Sequence, residues 1–273
     1  MKTILKITVF LFLFCSTVSA QEKLSNSFNY PIHAIGGNLS LDLLFPPKIE
    51  VQDGNNSIAP KVGQTLLFNE RLKYTCYIKK GWGITGEISF GNYSWEIQHN
   101  LNDFVDKDTI WSNGVKGGGL AKGLIVSNLY VGLSVKASYF AAVHQNVSLQ
   151  TEIGLKWTPI TFKSINQEDV TFTINDYNTS TKIPYMNFHS QIKNYFIPDV
   201  DFAFNVLIHG KNPSHNFVFG LNANVSLANR ILMKYSTTDV LSQHLQSVGN
   251  IHFRTTSVGV HIGYQYFFMK NNT

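Results

Sequence analysis

The chain has 273 residues, of which 44% are hydrophobic, 13% aromatic and only 14% charged, with a formal net charge of +5. That length suffices for one large β domain or two ordinary domains around a sizeable core. The charged fraction is well below the roughly 25% usual for soluble globular chains, which counts against a cytosolic helical protein, and the wealth of apolar residues without a long charge run excludes disorder.

Residues Met1 to Ala20 carry Lys2 and Lys6, then an apolar run, then Val18-Ser19-Ala20. This is the three-part pattern of a secretory signal peptide, expected to be cut after Ala20. The apolar run is too short for a membrane helix. Bulky Phe14 before Cys15 argues against a lipoprotein cut. Removing 20 residues and two lysines leaves 253 residues with a formal charge of +3 and a single cysteine, Cys76, so an intrachain disulfide is excluded.

Beyond residue 20 the recurring pattern is period-two alternation, the mark of strands with two unlike faces. In chain order, 34–45 sets Leu39, Leu41, Leu43 and Phe45 against Asn38, Ser40 and Asp42. Segment 64–79 sets Leu66, Phe68, Leu72, Tyr74, Cys76 and Ile78 against Asn69, Arg71, Lys73 and Thr75. Segment 84–98 starts with Ile84, Ile88 and Phe90 opposite Thr85, Glu87 and Ser89; its apolar set then moves to Tyr93, Trp95 and Ile97, which predicts a bulge near Gly91-Asn92. Segments 128–139 and 147–157 place Lys136, Glu152 and Lys156 opposite Leu133, Val135, Ile153 and Leu155. Segment 196–209 alternates Val200, Phe202, Phe204, Val206 and Ile208 with Asp201, Ala203, Asn205 and His209. Segments 217–227 and 257–268 repeat the pattern most cleanly, ending in GVHIGYQYFF.

The connections between these eight segments, 46–63, 80–83, 99–126, 141–145, 163–195, 210–214 and 237–251, alternate long and short. A transmembrane barrel predicts that rhythm, with short periplasmic turns, long external loops, an even strand number and both termini on the periplasmic side. Alternation alone leaves the facing open, because a soluble lipocalin-like barrel would turn the apolar set inward. Large continuous apolar faces would overfill an eight-strand interior, so apolar-out is the expected facing. Trp82, Trp95, Trp157, Tyr264, Tyr266 and Phe268, at strand ends, fit interfacial girdles.

A signal-like leader, eight alternating strands and a C-terminal aromatic strand resemble the small outer-membrane β-barrels of the OmpA/OmpX type. The Ala20-Gln21 junction, the Gly-aromatic strands and the richness in Asn look most like the outer-membrane β-barrel domains of Bacteroidota, including PorT-like proteins. The resemblance covers about residues 34–268 and rests on pattern; residues Met269 to Thr273, after the last aromatic, depart from it. It implies an all-β, antiparallel up-and-down transmembrane barrel of eight strands, ten if VTFTI (170–174) and IPYMNF (183–188) join the wall rather than extend it outward as a hairpin. The organisation is then a signal (1–20), a periplasmic lead (21–33), the barrel (34–268) and a tail (269–273).

Inside this barrel the expected polar network is Asp42, Arg71, Lys73, Glu87, Lys136, Glu152, Lys156 and Asp201. Lumen charges must pair or hydrate, so a structural role is expected of it ahead of a gating one. Eight strands leave room for side chains rather than an open pore. The stretch GVKGGGLAKG (114–123) fails as a phosphate loop, because Leu124 stands where the lysine is needed. A lipid hydrolase would need a Ser activated by a His: adjacent His189 and Ser190 point to opposite faces, and His244 and Ser247 fall in a loop. His209 and His215 flank a turn without zinc-like spacing. No catalytic, cofactor or metal residue is assigned, and nucleic acid is not an expected partner.

The expectation is therefore an exported outer-membrane barrel with a structural or interaction role through its external loops, chiefly 99–126 and 163–195. Its expected partners are outer-membrane lipid and lipopolysaccharide, the barrel-assembly machinery during insertion, and a protein at the loops. A barrel-embedded lipid hydrolase, a narrow channel and a soluble lipocalin-like binder stand as alternatives.

Overall fold

The computed structural model describes residues 30–54, 60–63, 65–79, 81–100, 120–163, 167–176, 179–192, 197–238 and 245–269. The expected signal peptide, residues 21–29 of the lead, the glycines at 114 and 117–119, His244 and residues 270–273 lie outside them.

The described residues form fourteen strands. They are β1 (Pro31–Leu44), β2 (Lys48–Gly54), β3 (Lys61–Val62), β4 (Thr65–Lys79), β5 (Trp82–Asn100), β6 (Leu120–His144) and β7 (Val147–Lys163). Then come β8 (Gln167–Asp176), β9 (Thr179–Ile192), β10 (Asp199–His209), β11 (His215–Ser226), β12 (Ile231–Thr238), β13 (Leu245–Phe253) and β14 (Ser257–Met269). Eight of them make a closed antiparallel barrel in the order β5-β4-β1-β14-β11-β10-β7-β6, with β6 returning to β5. These are the eight alternating segments of the sequence; β1 begins at Pro31, three residues before the expected start.

The wall faces as period two demands. Leu39, Phe68, Leu72, Ile84, Leu133, Ile153, Phe217, Leu221, Val260 and Ile262 are exposed on the outside, while Asn38, Arg71, Thr85, Ser134, Gln150, Asn205, Asn222 and His261 are buried inside. An apolar belt around a charged interior is the arrangement of a barrel in lipid. It is the reverse of a soluble binder, whose apolar side chains line the lumen. On β14 the outward run from Val258 to Phe268 covers 11 residues, the length a tilted strand needs to cross the hydrocarbon. Val260, about half exposed in the middle of that run, sets the expected effect of Val260→Arg: a cation on the lipid face there costs about 2–4 kcal/mol, read as a lower urea midpoint for folding into vesicles. An unchanged midpoint would place this face away from lipid.

Short turns and the described chain ends share one end. The turn after β4 uses Gly81, at φ 86°, a left-handed conformation that an L side chain adopts only with strain.

At the other end the barrel continues into a second tier. The sheet β2-β13-β12-β9-β8 repeats the order of the wall beneath it, β1-β14-β11-β10-β7, because each upper strand is the chain neighbour of the lower strand it stands on. The short β3 precedes β4 and pairs with the upper part of β5. Among the described strands only β5 and β6 run through both tiers in one piece, with 19 and 25 residues. Pro46 and Pro47 separate β1 from β2, since two residues without N–H groups cannot continue a ladder.

This tier corrects three expectations, the loops, the bulge and the Trp95 girdle, and decides one that the sequence left open, eight wall strands or ten. Residues 237–251 and 46–63 were expected as plain loops but contribute β13 with the end of β12, and β2 with β3. VTFTI and IPYMNF pair as the hairpin β8–β9, with Phe172 opposite Ile183, in the upper sheet, so the closed wall has eight strands and not ten. No bulge occurs at Gly91-Asn92: the β5–β6 register runs unbroken from Trp82 to Ile97. Thr85, Glu87, Ser89, Tyr93, Trp95 and Ile97 all point inward, and what changes is the medium outside. Below, lipid selects Ile88 and Phe90 on the outer face; above, the outer face carries Asn92 and Ser94 and the interior turns apolar. Trp95 is therefore no girdle residue but a fully buried part of the upper core, whereas Trp82 and Tyr264 are exposed.

Candidate functional site: the sealed lumen

Three layers fill the interior. At the chain-end side, Phe140, Phe267 and Tyr77 pack edge to face, with Phe140 and Phe267 centroids 5.4 Å apart, and Ala34, Leu207 and Val218 complete an apolar floor. They come from inward positions of six different wall strands, so the floor reaches across the barrel.

The middle layer holds the eight expected network residues, all buried. Four cations, Arg71, Lys73, Lys136 and Lys156, face four carboxylates, Asp42, Glu87, Glu152 and Asp201. Lys136 Nζ lies 2.8 Å from both Glu87 and Asp201 and 3.8 Å from Glu152. Arg71 reaches Asp42 at 3.6 Å, Glu87 at 3.7 Å and Asp201 at 3.8 Å, while Lys73 meets Glu152 at 2.9 Å. The Arg71–Asp201 contact joins β4 to β10, four strands away around the wall. Seven of the eight residues are thus tied by ion pairs. Lys156 instead sits 4.8 Å above the Tyr130 ring and donates to its hydroxyl at 3.3 Å.

Amides add further partners to the network. Asn222 donates to Asp42 at 2.8 Å, and Asn69 donates to the same carboxylate while accepting from Tyr130 at 2.6 Å. His261 bridges Asn205 at 2.6 Å and Asn222 at 3.2 Å. Gly259 is required beside Asp42, because a Cβ there would run into that carboxylate and the Leu41 carbonyl.

The roof is the upper core: Tyr93, Trp95, Met186, Phe188, Ile231, Met233, Tyr235, Ile251 and Phe253, with Leu44 and Leu67 beneath. Tyr130 joins the two layers, its hydroxyl on Asn69 and its ring stacked on Tyr93 at 4.2 Å. Burial pushes the Tyr93 phenol well above its ordinary pKa. An ion pair that the sequence reading missed fastens the tiers: Arg230, between β11 and β12, lies 2.6 Å from Asp199, which also accepts from Thr255 at 2.8 Å and Asn224 at 3.2 Å. Asp199 stands two residues before Asp201 on the same face, the one available hint.

Of the remaining candidates, His189 is exposed on β9 and Ser247 is buried on β13. His215 is bonded to the Tyr264 hydroxyl on the outer wall. His209 instead lies in the lumen, 2.6 Å from Ser148 Oγ and 2.5 Å from Asn216 Oδ1. Asn216 Nδ2 donates to the Ser214 and Gln265 carbonyls, so its oxygen accepts from His209 Nδ1–H, and Ser148 donates to Nε2. This is the orientation of a nucleophile relay. Ser148, however, has no exposed surface and lies in the region closed by Phe267, so in this structure the relay is a clamp between β7, β10 and β11.

No family model matches the chain, and no curated protein matches it. Similar solved structures include the outer membrane protein OprG from Pseudomonas aeruginosa, at 9% identity and a TM-score of 0.49 over 89% of this chain and 99% of that one. Neisserial surface protein A follows at 8% identity and a TM-score of 0.33, covering 86% and 96% of the two chains. The outer membrane protein AlkL, solved in lipid bilayers, is 12% identical with a TM-score of 0.33 and coverages of 90% and 95%. The closed strand order and its facing, rather than these likenesses, establish an eight-stranded antiparallel barrel.

Proposed function

We propose that the chain is an integral outer-membrane β-barrel that acts as a closed, non-catalytic platform, holding its upper tier outside the membrane for interaction. The observation that carries this reading is the sealed interior: an apolar floor, a charge-balanced middle and an apolar roof leave the described lumen filled by side chains. In this reading residues 1–20 direct export and are cut after Ala20, and the barrel-assembly machinery inserts the mature chain. Lipopolysaccharide surrounds the upper tier and a protein partner meets the loops. The barrel is of the Bacteroidota, PorT-like kind, as its Asn-rich, Gly-aromatic strands suggest. The buried network serves structure: four cations against four carboxylates hold the strands across the lumen.

The test is gel mobility of the chain from isolated outer membranes, with and without boiling, combined with carbonate and urea washing and with planar-bilayer recording. The expected result is a heat-dependent mobility shift, retention after washing and no steady unitary conductance. Release by washing without a shift would overturn the membrane assignment. Reproducible unitary currents would overturn the closed platform in favour of a narrow channel.

A further inference from the structure

Where the two tiers meet, the outer face carries an arrangement that the sealed lumen does not use. Arg254 lies between β13 and β14, exposed and outward, and its backbone is pinned on both sides: Arg230 N donates to Phe253 O at 2.9 Å, and Phe45 N donates to Thr256 O at 3.0 Å. Its Nε donates to Asn229 Oδ1 at 2.9 Å, which holds the guanidinium plane and leaves both Nη groups without a partner among the described residues. That bond also orients the Asn229 amide, whose Nδ2 donates to His252 Nδ1 at 3.1 Å. His252 Nε2–H then donates to Glu50 at 3.1 Å, so Glu50, the carboxylate nearest this cluster on β2, is already engaged. Lys48, opposite His252 in the β13–β2 register, is exposed and without a partner among the described residues. A fixed guanidinium fork and a free ammonium on neighbouring strands thus face outward over one engaged carboxylate.

The chemistry beneath is the opposite. Leu43 and Val258 are cross-strand partners on the lipid face, as are Leu41 and Val260, and exposed Phe45 and Leu227 lie at the edge of the belt. Ala223, opposite Val258, is the small member of its row and lies between Val258 and Phe202, and these side chains line part of an apolar depression that extends along the outer wall. Cations directly above an apolar depression match an amphiphile with an anionic head and hydrocarbon tails, at the depth where headgroups sit.

We infer that Arg254 and Lys48, with Asn229 and His252 as positioning residues, bind the phosphate of a phosphorylated glycolipid of the outer leaflet, whose acyl chains lie along Leu43, Val258 and Ala223. The inference rests on the membrane reading above and adds a specific lipid to it. The guanidinium takes two phosphate oxygens and the ammonium a third. Arg254 is held ready by Asn229, so little rotamer freedom is lost on binding.

The experiment uses the full folded chain in phosphatidylcholine vesicles doped in turn with diphosphorylated lipid A, its dephosphorylated form and phosphatidylglycerol. Bound lipid per barrel is counted by native mass spectrometry, and heat-dependent mobility is read on the same sample. The expected result is retention of diphosphorylated lipid A over either other lipid, falling about tenfold in the double variant Arg254→Gln/Lys48→Gln, as loss of a charge-assisted contact requires. Lys234→Gln, removing another exposed cation of the upper sheet, leaves retention unchanged. Equal retention of the dephosphorylated form, of phosphatidylglycerol, or by the double variant overturns the site while the mobility shift still upholds the barrel. A matching loss in Lys234→Gln also overturns it, since any surface cation would then serve. Absence of the mobility shift in the unsubstituted chain overturns both readings together.

Discussion

Lys136→Met is expected to lower the stability of the folded barrel by about 3–5 kcal/mol, because it leaves buried carboxylates without their shared cation. Lys136 is fully buried, with Glu87 and Asp201 each 2.8 Å from its Nζ and Glu152 at 3.8 Å. Methionine fills much of the same volume, so packing is largely kept and the loss is electrostatic. The network drops from four cations against four carboxylates to three against four. The measurement is the urea midpoint of the vesicle-inserted chain, read from the heat-dependent mobility shift. Adding Asp201→Asn restores the balance and is expected to recover most of the loss. A double variant no more stable than Lys136→Met would assign the effect to packing, and an unshifted single variant would show that the ion pairs do not hold the strands together.

The lower tier was legible because one medium acts on each face. Lipid outside and a narrow polar lumen inside impose one meaning on alternation above the apolar floor, so Val258 to Tyr266 against Ser257 to Gln265 could be sorted by residue type alone, whereas inward Phe267 and outward Phe268 could not. The eight network residues followed directly as the charges on inward positions. Which charge meets which was not legible, since Lys73 and Glu152 are 79 residues apart and become neighbours only when the wall closes. The upper tier was misread for a different reason. Period two records that two faces differ, without recording which of them is wet. On β5 the apolar set passes from Ile84, Ile88 and Phe90 to Tyr93, Trp95 and Ile97 while the backbone continues without a break. A bulge and a change of surroundings leave the same trace in sequence. The cue that separates them is the polar set: Asn92 and Ser94 continue the outward positions of Ile88 and Phe90, as a strand leaving lipid requires. Pro46-Pro47 likewise marked a ladder break between two strands, rather than the start of a plain loop.

Trp95→Ala tests whether the two tiers are one folding unit. Trp95 is fully buried, its ring 4.9 Å from Phe253 on β13 and 5.9 Å from Tyr93, so it joins the continuous strand β5 to the sheet built from the loops. Truncation removes the largest fully buried side chain of the upper core, and a Trp-to-Ala change of this kind costs about 3–5 kcal/mol. The wall below keeps its own ladder from β4 through β14 to β6, its ion pairs and its floor. The expected result is rapid proteolytic cleavage within residues 167–192 and 231–253 of the vesicle-inserted variant, with the heat-dependent mobility shift of the protected core retained. Trp95→Phe keeps the ring contact with Phe253 and is expected to restore most of the protection. If Trp95→Ala abolishes the mobility shift as well, the Arg230–Asp199 pair and the shared strands β5 and β6 couple the tiers into a single cooperative unit. Unchanged protease resistance would mean that the upper sheet is held by its backbone ladders alone, with the apolar roof contributing little to its order.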